Sequence, residues 1–234
     1  MVRMLNAATL LAAWETALSQ PPLQRPLALL SAVWPDSSAE EWGARPIGER
    51  DGSLLRLREA WFGTRIEAIA RCPTCNEILE VAFETSDMLK EAPESREYFE
   101  IDTASRCVKF RLPTTADLVE AARHNGAEAS QCLLRRCVTE ANELSQTAID
   151  AVLQAMAEAD PQADVQIALS CSICGHSWPL AFDIVSHLWG EVEDWAHRML
   201  REVDRLASAY GWSEQEILVM SALRRRRYIE LIEG

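Results

Sequence analysis

No run in this sequence reaches the roughly 18 apolar residues needed to cross a bilayer. There is no Gly-rich phosphate loop, no Gly-x-Ser-x-Gly and no His-Glu-x-x-His. Histidine is scarce: four residues, at positions 124, 176, 187 and 197, with none in a nucleophile arrangement. His187 and His197 are ten positions apart on one expected helix, too far along its axis to share a ligand. The common signatures of phosphoryl transfer, serine hydrolysis and metalloproteolysis are therefore missing, and a non-enzymatic role is expected. Positive charge is also short. Lys and Arg total 23 against 36 Asp and Glu, a net charge of -13. Nucleic acid and anionic membranes call for a basic surface that neutralises phosphate, and only Arg224 to Arg227 offers one. That run reads more simply as a solvated helix face, or as a contact with an acidic surface of the chain itself or of a partner. Repeats of 20–50 residues and low-complexity tracts are absent. The apolar run Met4 to Trp14, behind Arg3, imitates a signal peptide, but Asn6 interrupts it, Glu15 follows and no small-x-small site ends it. An ordinary helix in a cytoplasmic protein is the expectation.

What is present organises around cysteine. There are seven, an odd number, which argues against a secreted disulfide framework. Four of them form Cys72-Pro73-Thr74-Cys75 and Cys171-Ser172-Ile173-Cys174. The x-x spacing closes a loop too small for a useful structural disulfide, so reduced thiols holding a metal are the simpler account. Each motif is followed by a residue that tolerates a left-handed backbone, Asn76 or Gly175. Such a turn aims two thiolates at one point, and two turns close a tetrahedral Zn²⁺ site, one per chain, with ligands Cys72, Cys75, Cys171 and Cys174. A redox Cys-x-x-Cys belongs at a helix N-terminus, whereas strands follow both motifs here. His176 is an alternative ligand, though with four thiolates at hand a place beside the site is expected. Cys107, Cys132 and Cys137 are expected to pack as small apolar residues. The 95 residues between Cys75 and Cys171 require an insertion within one split ribbon.

Along the chain, helices are expected at 6–19, 23–34 and 52–63, the last closed by Gly63. Residues 35–52, rich in Pro and Gly, read as a connector with a helical turn near Ala39 to Trp42. Alternation predicts strands at 64–71 and 78–83 around the first motif, and at 165–169 and 178–182 around the second. Residues 84–113 are acidic and irregular, with short strands at 98–101 and 107–112. Helices follow at 115–124, started by Thr114 or Thr115 with Asp117 in its first turn, then at 127–137 and 145–158. A long helix, 183–209, carries the stripe Ile184, Leu188, Val192, Trp195, Met199, Val203, Leu206 and Tyr210. Ser213 and Glu216 form a capping box ahead of a helix at 214–220, and a final helix starts at Ser221. The fold class is α+β. It comprises a helical N-terminal segment (1–63), a first zinc-ribbon hairpin (64–86), a mostly helical insertion (87–163), a second hairpin (164–182) and C-terminal helices (183–234).

A longer ordered pattern runs through residues 45–232. It begins with Arg50-Asp51, Leu54-Leu55, Leu57-Arg58, Phe62-Gly63, Cys72-Pro73-Thr74-Cys75 and Arg111-Leu112-Pro113-Thr114 with Ala116-Asp117-Leu118. It continues through Asp160-Pro161-Gln162-Ala163-Asp164, Cys171 to Trp178, Phe182-Asp183, Leu188-Trp189, Tyr210-Gly211-Trp212-Ser213-Glu214 and Arg225-Arg226 before Tyr228. In this pattern the chain resembles the zinc-ribbon proteins encoded in gene clusters for phage-tail-like contractile injection systems, akin to the T-even-phage-family baseplate hub assembly chaperones. The resemblance implies a role in building the baseplate or hub, with baseplate, hub or spike proteins as partners. Asn76 stands where glycine is usual. Apolar helix faces on 183–210 and 214–232 are the expected partner surface, with Trp195, Tyr210, Trp212, Arg225, Arg226 and Tyr228 as candidate contacts. The alternative from another class is a zinc-ribbon protein bound to nucleic acid or to transcription, which the net charge disfavours.

Overall fold

The computed structural model describes residues 6–92, 96–103, 106–139 and 144–233. In chain order the helices are α1 (Ala7–Leu18), α2 (Arg25–Val33), α3 (Ala39–Ala44) and α4 (Ile47–Phe62). Strands β1 (Arg65–Arg71) and β2 (Ile78–Glu84) lead to α5 (Thr85–Met88), β3 (Phe99–Asp102) and β4 (Cys107–Phe110). Then come α6 (Thr115–Ala121), α7 (Ala127–Cys137), α8 (Gln146–Ala159), β5 (Gln166–Ser170) and β6 (Ser177–Ala181). The chain closes with α9 (Ile184–Tyr210), α10 (Glu214–Leu218) and α11 (Ala222–Glu233). Among the described residues the strands form three separate two-stranded antiparallel sheets, β1-β2, β3-β4 and β5-β6. The protein is thus a mixed helix and sheet chain in two compact units, one of Met1–Ala39 with Val185–Gly234 and one of Glu40–Ile184. The unit boundaries cut through the 1–63 segment: its first two helices group with the C-terminal tail.

In the first unit, the Asn6 side chain caps α1 by accepting from the Thr9 N–H at 2.8 Å. Leu10, Leu11, Trp14 and Ala17 recur at helical spacing and are buried, and α1 packs on α2, where Leu27, Leu30 and Val33 are buried too. The α9 stripe lies inward as well: Leu188, Val192, Ala196, Met199 and Leu206 are all buried. The edge of the Trp14 ring meets His197 at 5.9 Å, and the Arg25 guanidinium lies 4.7 Å over Trp189, so α1 and the start of α2 run alongside α9. Much of the stripe expected over 183–210 is therefore packed inside this unit, while Trp195 and Val203 stay half-buried and Tyr210 is exposed at its end. The Ser213–Glu216 capping box is present, with the Ser213 N–H donating to Glu216 at 2.8 Å.

In the second unit, the Pro- and Gly-rich connector gives way to helix five residues earlier than expected. Pro46 precedes α4, and Gly48 and Gly52 lie inside it. The reason for Gly48 is a close approach. The Gly48 N–H donates to Asp160 Oδ2 at 2.9 Å, and a Cβ on Gly48 would lie 1.7 Å from Asp160 Oδ1. Asp160 thus ties the end of α8 to the start of α4, just as Gln162 accepts from the Lys90 N–H at 2.8 Å. We expect Gly48→Ala to lower stability by about 1–3 kcal/mol, an overpacking cost, in a urea titration. A midpoint unchanged from wild type would show that α4 and Asp160 do not meet in this way.

Gly63 closes α4 at φ +93°, as expected from its place. A short helix not anticipated, α5, follows β2 through a reciprocal box in which Glu84 caps and Asp87 returns to the Glu84 N–H. Beyond it, β3 and β4 pack Phe99, stacked on Phe110 at 5.4 Å, onto a core of Val108, Phe110, Cys137, Val138 and Val152. Cys137 is apolar filler there, but Cys107 is exposed and Cys132 half-buried, which corrects the expectation of three packed cysteines. On the outer face of β4, opposite Asp102, the Cys107 side chain alternates away from the core.

Candidate metal centre

Each Cys-x-x-Cys turn joins the two strands of a hairpin. The two turns are built alike, bond for bond. The Cys72 N–H donates to the Glu77 carbonyl at 2.9 Å and the Asn76 N–H to the Cys72 carbonyl at 2.9 Å. In the second turn the Cys171 N–H donates to His176 at 2.8 Å and the Gly175 N–H to Cys171 at 2.9 Å. Both patterns need positive φ at the fifth residue: Asn76 has φ 60° and Gly175 has φ 72°. Asn76 is the one non-glycine residue with positive φ among the described residues, and it belongs to the residue types that accept that conformation. The Arg71 guanidinium braces the first turn by donating to the Asn76 carbonyl at 3.0 Å. Ser170 and Ser177 pair across the base of the second at 2.7 Å.

The two hairpins bring their sulfurs together, and behind them Phe83 of β2 meets Phe182 edge-on at 5.4 Å. All four Sγ atoms of Cys72, Cys75, Cys171 and Cys174 lie within 4.8 Å of one another. Cys72 Sγ is 3.7 Å from Cys174 Sγ, and Cys75 Sγ is 3.6 Å from Cys171 Sγ. Four thiolates each about 2.3 Å from a common centre stand about 3.8 Å apart, so the separations fit a tetrahedral metal cage. Cys72 and Cys171 are buried, whereas Cys75 and Cys174 are exposed.

The electrostatics agree with such a cage. Burial works against a thiolate at Cys72, but the N–H groups of Cys75 and Thr74 aim at its sulfur and bring its pKa down to about 7. Cys75 receives the Glu77 N–H, yet burial and the three neighbouring sulfurs push it up to about 12. One thiolate forms readily, and further charge in the same space is resisted until a cation offsets it. His176 contributes through its backbone N–H, which faces Cys174. Its ring is exposed and stacks on Trp178 at 5.9 Å, outside the group of ligating atoms.

No family model, curated protein or solved structure matches the chain.

The remaining candidate residues separate into two sets. Tyr210, Trp212 and Tyr228 come together from three places in the chain: Tyr210 stacks on Trp212 at 4.5 Å, and Tyr228 meets both edge-on at 5.5 and 4.8 Å. Tyr210 is exposed and the other two are half-buried, so the trio forms an aromatic surface patch. Arg226 is exposed nearby on α11, and Trp195 is half-buried on α9. Arg225 departs from expectation. It is buried, and its guanidinium donates to Glu202 at 2.9 Å and to the Met220 carbonyl at 2.7 Å. It fastens α11 to α9 and is not available to a partner. The arginine run therefore includes one structural member, and Arg227 pairs with Glu230 within the same helix. The backbone donors at the sulfurs accompany the left-handed residue expected behind each motif. The charge network around Asp117 was not anticipated; only the Thr114–Asp117 spacing gave a signal.

Proposed function

We propose that this chain is a non-enzymatic assembly factor, or an accessory component, of the baseplate or hub of a phage-like contractile tail. In this reading one zinc ion is held by Cys72, Cys75, Cys171 and Cys174 as a split ribbon. Four thiolate donors fit zinc among the common divalent ions. They fill its tetrahedral shell and leave no position for a substrate, so the ion acts structurally and joins two hairpins separated by about a hundred residues. The observation that carries the metal assignment is the four-sulfur cage with its two matching turns. The assembly role rests on the ordered sequence pattern from Arg50-Asp51 to Tyr228. Since much of the α9 stripe is packed inside its own unit, the partner surface in this reading is the aromatic trio Tyr210, Trp212 and Tyr228 together with Arg226 and the exposed side of α11. Leu223 and Leu231 there are 66% and 73% exposed.

The test is genetic and biochemical together. Tagged protein drawn from cells that carry a contractile-system gene cluster is expected to bring down baseplate, hub or spike subunits. Deletion is expected to leave particles without complete baseplates. Normal particles after deletion, with no such subunit co-purifying, would overturn the proposal.

A further inference from the structure

The four sulfurs are divided in a way that the metal-binding role alone does not use. Two sulfur pairs within hydrogen-bonding reach each join one buried cysteine to one exposed cysteine of the opposite hairpin: Cys72 with Cys174 at 3.7 Å, and Cys75 with Cys171 at 3.6 Å. We infer that the cage is also an oxidation site, at which peroxide exchanges the metal for two disulfides that cross between the hairpins, Cys72–Cys174 and Cys75–Cys171. The inference rests on the zinc reading above for the starting state, but the pairing stands on the sulfur positions themselves.

The chemistry balances with hydrogen peroxide as the oxidant. An exposed thiolate, Cys75 or Cys174, attacks one peroxide oxygen; the O–O bond breaks, hydroxide leaves and a sulfenic acid forms. The buried thiolate beside it, from the other hairpin, attacks the sulfenic sulfur, the S–O bond breaks and a second hydroxide leaves. Each disulfide thus consumes one peroxide and two protons and yields two waters. Two disulfides consume two peroxides and release the zinc ion, which has lost its ligands. The exposed sulfurs react first because peroxide reaches them from solvent. The buried ones resolve because they are within 4 Å and shielded from further oxidant. Because both bridges run between the hairpins, the covalent product ties together the same two hairpins that the metal tied, and the unit keeps its fold.

The experiment uses the full chain with Cys107→Ser and Cys132→Ser, which removes the two accessible thiols outside the cage. Zinc-loaded protein is titrated with hydrogen peroxide. Release of zinc is followed with a colorimetric chelator, and the bridges are mapped by non-reducing peptide mass spectrometry. We expect one zinc released per chain, two peroxides consumed, linked peptides joining Cys72 to Cys174 and Cys75 to Cys171, and an unchanged far-ultraviolet circular dichroism spectrum. Bridges within the turns, Cys72–Cys75 and Cys171–Cys174, would overturn the inference, as would sulfinic acid at Cys75 or Cys174 with zinc retained. If the purified protein holds no zinc, the metal assignment fails separately; the same map on the metal-free thiols still decides the pairing.

Discussion

Replacing Cys171 with serine is expected to release the metal and to destabilise the Glu40–Ile184 unit by at least about 4 kcal/mol. A serine hydroxyl stays protonated at neutral pH and is a poor partner for zinc beside three thiolates. The loss is large because of what else holds the hairpins. Isolated two-stranded sheets are marginal in water, and β1-β2 and β5-β6 are each two-stranded. In the zinc reading, the metal joins them at this end together with the Phe83–Phe182 contact. Structural zinc in small domains contributes about 10–16 kcal/mol of apparent binding free energy at neutral pH, while a whole domain is stable by only about 5–15 kcal/mol. Even a modest share of the first figure is a large part of the second. Metal content by atomic emission should fall from one zinc per chain to none. Amide exchange should lose protection across Arg65–Arg71, Ile78–Glu84, Gln166–Ser170 and Ser177–Ala181. Stripping wild-type protein with a chelator should reproduce the mutant, and Cys107→Ser, at an exposed cysteine, should change nothing. A Cys171→Ser protein that keeps its zinc, or keeps wild-type stability without it, would remove the centre from the account.

The cage was legible in the sequence because its determinants are local. A Cys-x-x-Cys turn with Asn or Gly behind it specifies its own backbone, and alternation on either side specifies the strands. Long-range facts were less legible. Gly48 reads as loop because glycine weakens an isolated helix; what holds it in α4 is Asp160, 112 positions away. The α9 stripe was visible as an apolar face, but periodicity states only that a face is buried, not what covers it. That α1 and α2, nearly two hundred residues earlier, lie alongside it is a tertiary fact. Arg225 shows the same limit from the other side. In a run of four arginines nothing local distinguishes the one that turns inward, and Glu202 on α9 makes the selection. The aromatic trio was named residue by residue, yet its convergence depends on the turn at Gly211, where φ is +70°, and on the docking of α11.

Asp117→Asn is expected to cost about 3 kcal/mol, the lower end of what breaking a buried charge network costs. The carboxylate is almost fully buried, at 1% exposure. It accepts from Arg111 at 2.6 and 2.8 Å, from Arg136 at 2.7 Å, and from the N–H and hydroxyl of Thr114 at 3.0 and 2.9 Å. One side chain therefore fixes the exit of β4, the start of α6 and the end of α7. An asparagine of the same shape carries no charge and turns an amide group toward two guanidinium groups. Arg111 and Arg136 are each about a third exposed, so water partly solvates them once the charge is gone, which is why the lower figure is the better estimate. The pH dependence follows in sign. Burial raises the Asp117 pKa, but Arg111, Thr114 and Arg136 outweigh it and hold the carboxyl well below the ordinary carboxylate range. The unfolded chain then takes up the proton first on acidification, so the contribution is complete above an unfolded value of about 3.9 and drains away below it. The stability gap between wild type and Asp117→Asn should thus be constant from pH 7 to about pH 5 and narrow toward pH 3. Asp51 and Asp160 act oppositely: burial raises both, so their charged forms cost stability at neutral pH and that cost is relieved as they protonate. Those two groups, and any proton-driven loss of a metal held at the four cysteines, are common to both proteins and cancel in the difference. Urea titrations of the pair at pH 7, 5 and 3.5 measure it. A gap below about 1 kcal/mol at pH 7, or one that widens in acid, would show that Asp117 is not the keystone of this junction.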